Sequence, residues 1–163
     1  MKGLGIVVGL LGILELVLAQ DGTCGVKFVK LGNSAYHLER GKFNWWDSAR
    51  RCMALGSQLA HIDSEEELNA ISTYLNQLGF ATTEAVWFSG FGIKSGAWIS
   101  LANSQILSYL KWGPSEPNDY GSAENCLGIK VNSGNWFMYD LNCFTEYSYL
   151  CEGVSRESAI NLI

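Results

Sequence analysis

Residues 112–126 read Trp112-Gly113-Pro114-Ser115-Glu116-Pro117-Asn118-Asp119-Tyr120-Gly121-Ser122-Ala123-Glu124-Asn125-Cys126. Both prolines of the chain fall here, with two glycines and several Ser, Asn and Asp residues. That is loop chemistry, and a loop of this length inside a compact domain is uncommon and usually either functional or disordered. Glu116, Asn118 and Glu124 bring side-chain oxygens to the loop, and Asp140 follows after the next strand candidate. Three carboxylates and an amide suit a hard cation such as calcium, which takes oxygen ligands from flexible loops. Pro117 adds a geometric option, because a cis X-Pro bond would bring the Glu116 and Asn118 side chains to the same side. Acidic and amide residues on a loop are most often only solvated. The rest of the chain has to decide.

Before the loop the pattern is mixed. Val26 to Leu31 and Ala35 to Glu39 alternate as two short strands around the turn Gly32-Asn33-Ser34. Trp45, Ala49, Cys52 and Leu55 recur at helical spacing, and Gly56 supplies the stop. Ser64 opens a second helix with Glu67 three residues on, the pattern of a capping box. Leu68, Ile71, Leu75 and Leu78 form its apolar stripe, and Gly79 ends it. Beyond Gly79 come short aromatic-rich strand candidates: Val86 to Gly90, Ala97 to Leu101, Ser108 to Lys111, Cys126 to Lys130, Trp136 to Met138 and Tyr147 to Cys151. No internal repeat, low-complexity tract or linker interrupts them.

The N-terminus suggests export. Met1 and Lys2 give a positive start, an apolar run follows, and Val17-Leu18-Ala19 offers small and branched residues before a cut ahead of Gln20. The run is broken by Glu15 and three glycines and is shorter than the ~20 residues needed to span a bilayer. A signal peptide over 1–19 is therefore expected, leaving one secreted domain over 20–151 and a short tail over 152–163, with no membrane span. The net charge of −5 argues against a nucleic-acid partner. The five cysteines (Cys24, Cys52, Cys126, Cys143 and Cys151) show no C-x-x-C spacing, and in an oxidising compartment they read as disulfides. Five is odd, so one is left without an intrachain partner.

Together these residues resemble the C-type lectin domain family. Glu116-Pro117-Asn118, Glu124-Asn125-Cys126, Asp140 with Cys143 three later, and Tyr149-Leu150-Cys151 carry the likeness. Trp46, Ala49, Cys52, Gly56, Leu59-Ala60, Glu66 and Trp87-Phe88-Ser89-Gly90 continue it, the last in place of a W-I-G-L motif, and Trp112 lies four before Glu116. The resemblance runs from about Val26 to Cys151. It implies an α+β fold with two helices packed on small antiparallel sheets, a long ligand-binding loop, and the disulfides Cys52–Cys151 and Cys126–Cys143. It also implies a calcium ion held by Glu116, Asn118, Glu124 and Asp140, the same residues contacting a sugar. Tyr120, in the middle of the long loop, is by its position a further candidate for sugar contact. Members with Glu-Pro-Asn favour mannose, fucose or N-acetylglucosamine, those with Gln-Pro-Asp galactose. The order of acid and amide decides which pair of sugar hydroxyls can donate and accept correctly.

Three departures qualify the likeness. The family's Trp-Asn-Asp triplet is Met138-Tyr139-Asp140 here, so a phenol stands where an amide ligand is usual. Gly92 and Gly96 fall where auxiliary calcium sites have acids, so one calcium at most is expected. Cys24 faces Ala35 where long-form members have its partner, leaving it unpaired or in an interchain disulfide of a homodimer. Five of the six tryptophans read as structural. The reading is a secreted, calcium-dependent, mannose-type lectin that serves innate immune recognition. The alternative is a calcium-independent protein-binding module with a reproductive-fluid or receptor-binding role. No nucleophile elbow, phosphate loop or local Ser, His and Asp set points to an enzyme, and Glu116 with Glu124 lie on one loop rather than across a cleft.

Overall fold

A computed structural model describes residues 25–93 and 96–154. The leader expected over 1–19, Cys24 and residues 155–163 lie outside the described residues. The elements run β1 (Val29–Leu31), β2 (Ser34–Phe43), α1 (Trp45–Ala54), β3 (Ser57–Leu59), α2 (Glu65–Gln77), β4 (Ala85–Gly92), β5 (Trp98–Ile99), β6 (Glu124–Asn132), β7 (Asn135–Asn142) and β8 (Tyr147–Gly153). A single 3-10 turn, Tyr120–Ser122, interrupts the long loop.

Local chemistry sets the helix ends. Asn44 caps α1 by accepting the Asp47 amide, and Gly56 follows the last turn at a positive φ of 66° that other residues adopt at a cost. Ser64 caps α2 by accepting the Glu67 amide at 3.1 Å. The capping box is only half made. Glu67 takes the Asp63 amide (2.9 Å) and the Tyr36 hydroxyl instead of returning to Ser64, because β2 brings a buried phenol within its reach.

The strands form one 8-stranded sheet in the order β1-β2-β8-β4-β6-β7, with β3 added to β8 and β5 to β4. Antiparallel pairing dominates. The small sheets expected from the sequence are fused by one parallel ladder, Val86 with Ser148 and Trp87 with Tyr149, between β4 and β8. Ser108 to Lys111 is not a strand. Around it there are only isolated bridges, Ile99 with Ile106 and Trp112 with Met138, because this segment has no continuous neighbour to pair with. β3 was not expected, being three residues long with two of them polar.

Period-two alternation divides the core in two. Val86, Phe88, Leu127, Ile129, Trp136, Met138 and Leu150 face the stripe Leu68, Ile71 and Leu75 of α2. Ala85, Trp87, Cys126, Leu141, Tyr149 and Cys151 face Trp45, Ala49 and Cys52 of α1. β4 is therefore buried from Ala85 to Gly90 and apolar there but for Ser89, whose hydroxyl pairs with that of Ser100. Each Val, Leu, Ile, Phe or Met side chain buried this way contributes about 1.5–3 kcal/mol. The buried indoles keep hydrogen bonds: Trp45 donates to Phe88 O, Trp87 to Phe43 O and Trp136 to Asn76 Oδ1. Trp46 is 46% exposed, unlike Trp45, Trp87, Trp98 and Trp136. Both expected disulfides are present, Cys52–Cys151 with Cα atoms 5.4 Å apart and Cys126–Cys143 at 5.1 Å.

Candidate functional site

The long loop leaves the core beside β7. Met138 N–H donates to Lys111 O at 2.7 Å and Gly113 N–H to Met138 O at 2.9 Å, while Trp112 packs edge-on to Trp98. A turn follows, with Glu116 N–H donating to Gly113 O, and the Glu116–Pro117 peptide is cis. Asn118 Nδ2 then donates to Glu116 Oε2 at 2.7 Å, so these two side chains do lie on the same side.

Asp140 anchors the return of the loop. It is 2% exposed, and its two oxygens accept the backbone amides of Asn118 (3.0 Å) and Asp119 (2.8 Å). Glu124, at the start of β6, accepts the Tyr120 amide at 3.0 Å and gives its own amide to Asp119 Oδ1 at 3.1 Å. The Cys126–Cys143 bridge ties the two strands just beyond, where Glu124 pairs with Asn142. Glu116, Asn118, Glu124 and Asp140 thus gather at one end of the β6–β7 ladder. Tyr120 stands beside them, 82% exposed. Asp119, which is not among the ligand residues expected from the sequence, is also a hub of this network; its signal was its place between Asn118 and a glycine-containing turn.

The charges are crowded. Burial pushes the Glu116 carboxyl up to about 7, and the adjoining Asp140, through a shared hydrogen bond and its charge, pushes the same way. Burial also raises Glu124, with the charges of Asp140 and Asp119 adding and Lys130 opposing. No salt bridge among the described residues neutralises these acids. In kind and charge the donor set fits a calcium ion. Its side chains are turned to one another and to backbone amides, however, and among the described residues no three acidic, His or Cys side chains form a ready-made cage. Tyr139 is not among the converging groups. Its ring packs on Gly113, with Lys130 Nζ 5.2 Å from the ring centre.

A mixed sheet covered by one helix on each face, stapled by two disulfides and carrying an acidic loop around a cis proline, defines a class of α+β ligand-binding domain. Residues 41–153 match the family model described as "Lectin C-type domain", and the chain belongs to that family. It is 28% identical over 139 residues to C-type lectin 37Da of Drosophila melanogaster, covering 80% of this chain and 74% of that one. It is also 28% identical over 129 residues to perlucin of Haliotis laevigata, covering 79% and 82%. Among solved structures, the cow carbohydrate-recognition domain of CD23, crystallised in the presence of a GlcNAc2Man3 oligosaccharide, superposes with a TM-score of 0.66 at 27% identity, covering 82% and 97%. The murine dendritic cell inhibitory receptor 2 domain, in complex with an N-glycan, gives a TM-score of 0.67 at 20% identity over 78% and 96%, a likeness of fold alone. These relatives are carbohydrate-recognition domains and lectins, not enzymes, and they support a glycan-binding role. No helix among the described residues is long and apolar enough to cross a membrane.

Proposed function

We propose that the chain is a secreted, calcium-dependent lectin that binds mannose-type sugars through Glu116, Asn118, Glu124 and Asp140. One observation carries the reading. Buried Asp140 accepts the Asn118 and Asp119 backbone amides, and the side chains of Glu116, Asn118 and Glu124 lie at the same edge.

When bound, calcium would supply a positive centre to which two neighbouring sugar hydroxyls could add their oxygens. The chain's own residues set direction. Glu116 would accept a hydrogen bond from one hydroxyl and Asn118 would donate an amide N–H to the neighbouring hydroxyl, an order that suits the equatorial 3,4-diol of mannose, fucose-type arrangements and N-acetylglucosamine. Glu124 and Asp140 complete the acceptor set, and the exposed Tyr120 offers a ring for contact with the sugar's apolar face. A role in recognising microbial surfaces fits a small secreted lectin of this kind. The double swap Glu116→Gln with Asn118→Asp tests the directional argument: elution from a mannose column should give way to a preference for galactose. Unchanged preference after the swap would sink it.

A second reading is kept alive by Tyr139, which stands where the family's amide ligand is usual and offers no amide to a cation or sugar. It is a calcium-independent protein-binding module. Binding to a protein partner that persists in chelator would favour it.

A further inference from the structure

Tyr139 has a place in the fold that its failure as a ligand does not explain. On β7 it lies opposite Gly128, and its ring leans on the backbone of Gly113, where the long loop begins. A Cβ on Gly113 would stand 2.5 Å from Tyr139 Cζ and 2.7 Å from its hydroxyl oxygen, so the contact exists only because that residue is glycine. Lys130 covers the ring from the neighbouring strand. No hydrogen bond to the hydroxyl is formed within the described residues, so it is the ring that makes the contact. The next residue, Asp140, points the other way and holds the far side of the loop by the Asn118 and Asp119 amides. Adjacent residues of one strand therefore grip both ends of the segment 113–119. That segment needs holding, since Ser115 and Asp119 have positive φ values of 66° and 44° without being glycine, as does Ser122 at 54° just beyond.

We propose that Tyr139 is a positioning residue that braces the loop from Gly113 to Asp119 in its site-forming shape independently of calcium, exchanging a ligand for preorganisation. The idea rests on reading this loop as the glycan site. Its consequence is that a loop which would otherwise be ordered by its cation is ordered by the chain itself. Fewer ligands then suffice, because less ordering has to accompany binding.

Amide hydrogen exchange on the full mature protein, in calcium and in chelator, tests this at the Asn118 and Asp119 amides. The native protein is expected to show nearly the same protection in both. Tyr139→Asn, which restores an amide of the ligand type, should exchange at least about tenfold faster in chelator and recover in calcium. Gly113→Ala, which displaces the ring without touching residue 139, should also lose protection in chelator. Tyr139→Phe should keep it. Protection in β4, remote from the loop, must stay native in every variant and excludes general unfolding as the cause. Native protection in the Asn variant in chelator, or loss of protection in the Phe variant, overturns the brace. Absence of mannose retention with the loop still protected overturns the glycan reading alone and leaves the brace supported.

Discussion

At the scale of single residues, Glu116 and Glu67 make different demands. Glu116 is a proposed calcium and sugar ligand, and Glu116→Gln keeps its size while removing a charge from the proposed donor set. Calcium affinity measured by calorimetry should drop at least about tenfold, or 1.4 kcal/mol, while the melting temperature in chelator should rise at and above pH 7, because the neutral amide relieves a carboxyl that burial holds up at about 7. Glu67 is a matter of stability. Burial holds its carboxyl up at about 7 despite hydrogen bonds from Tyr36 and the Asp63 amide that favour the charged form. Its folded value lies above the unfolded one, so its stabilising contribution is full below about 4.5 and is lost as the pH rises through 7. The melting temperature should fall across that window, and Glu67→Gln should flatten the profile; an identical slope in the variant would refute the assignment. Glu116 and Asn118 were legible as a pair from three consecutive residues. The Tyr139–Gly113 contact was not, because it joins residues whose proximity is purely tertiary.

Among the elements, the two helices were the most legible, since each has a polar cap, a 3.6-residue stripe and a glycine stop. The stripe of α2 can be tested directly. Leu75 is fully buried, and Leu75→Ala should cost about 2–5 kcal/mol in denaturant unfolding, whereas Ser64→Ala at the cap should cost about 1 kcal/mol. Equal effects at the two positions would contradict the packing described for that helix. The strands were less legible. β4 could be read from its apolar run, but Ser108 to Lys111 has the same local character and finds no strand partner. β3 is held by β8 rather than by its own three residues. Pairing of this kind depends on what the rest of the chain brings alongside, which local propensity does not encode.

For the whole molecule, cysteine spacing and the acidic loop made the class legible, while the parallel β4–β8 ladder that fuses the sheet was not. The disulfides act at this scale. The Cys52–Cys151 link closes a separation of 99 residues and Cys126–Cys143 one of 17. Replacing the longer pair by alanine should cost about 4–5 kcal/mol of unfolding free energy, the shorter about 3 kcal/mol. The shorter link also joins the strand carrying Glu124 to the one carrying Asp140, so its loss should weaken ligand binding as well as stability. The assembled loop is the proposed mannose site. Protein spanning residues 20–163 should be retained on mannose-agarose in millimolar calcium and released by chelator. Passage straight through the column by a protein shown to be folded would contradict the claim and turn the search toward a protein partner.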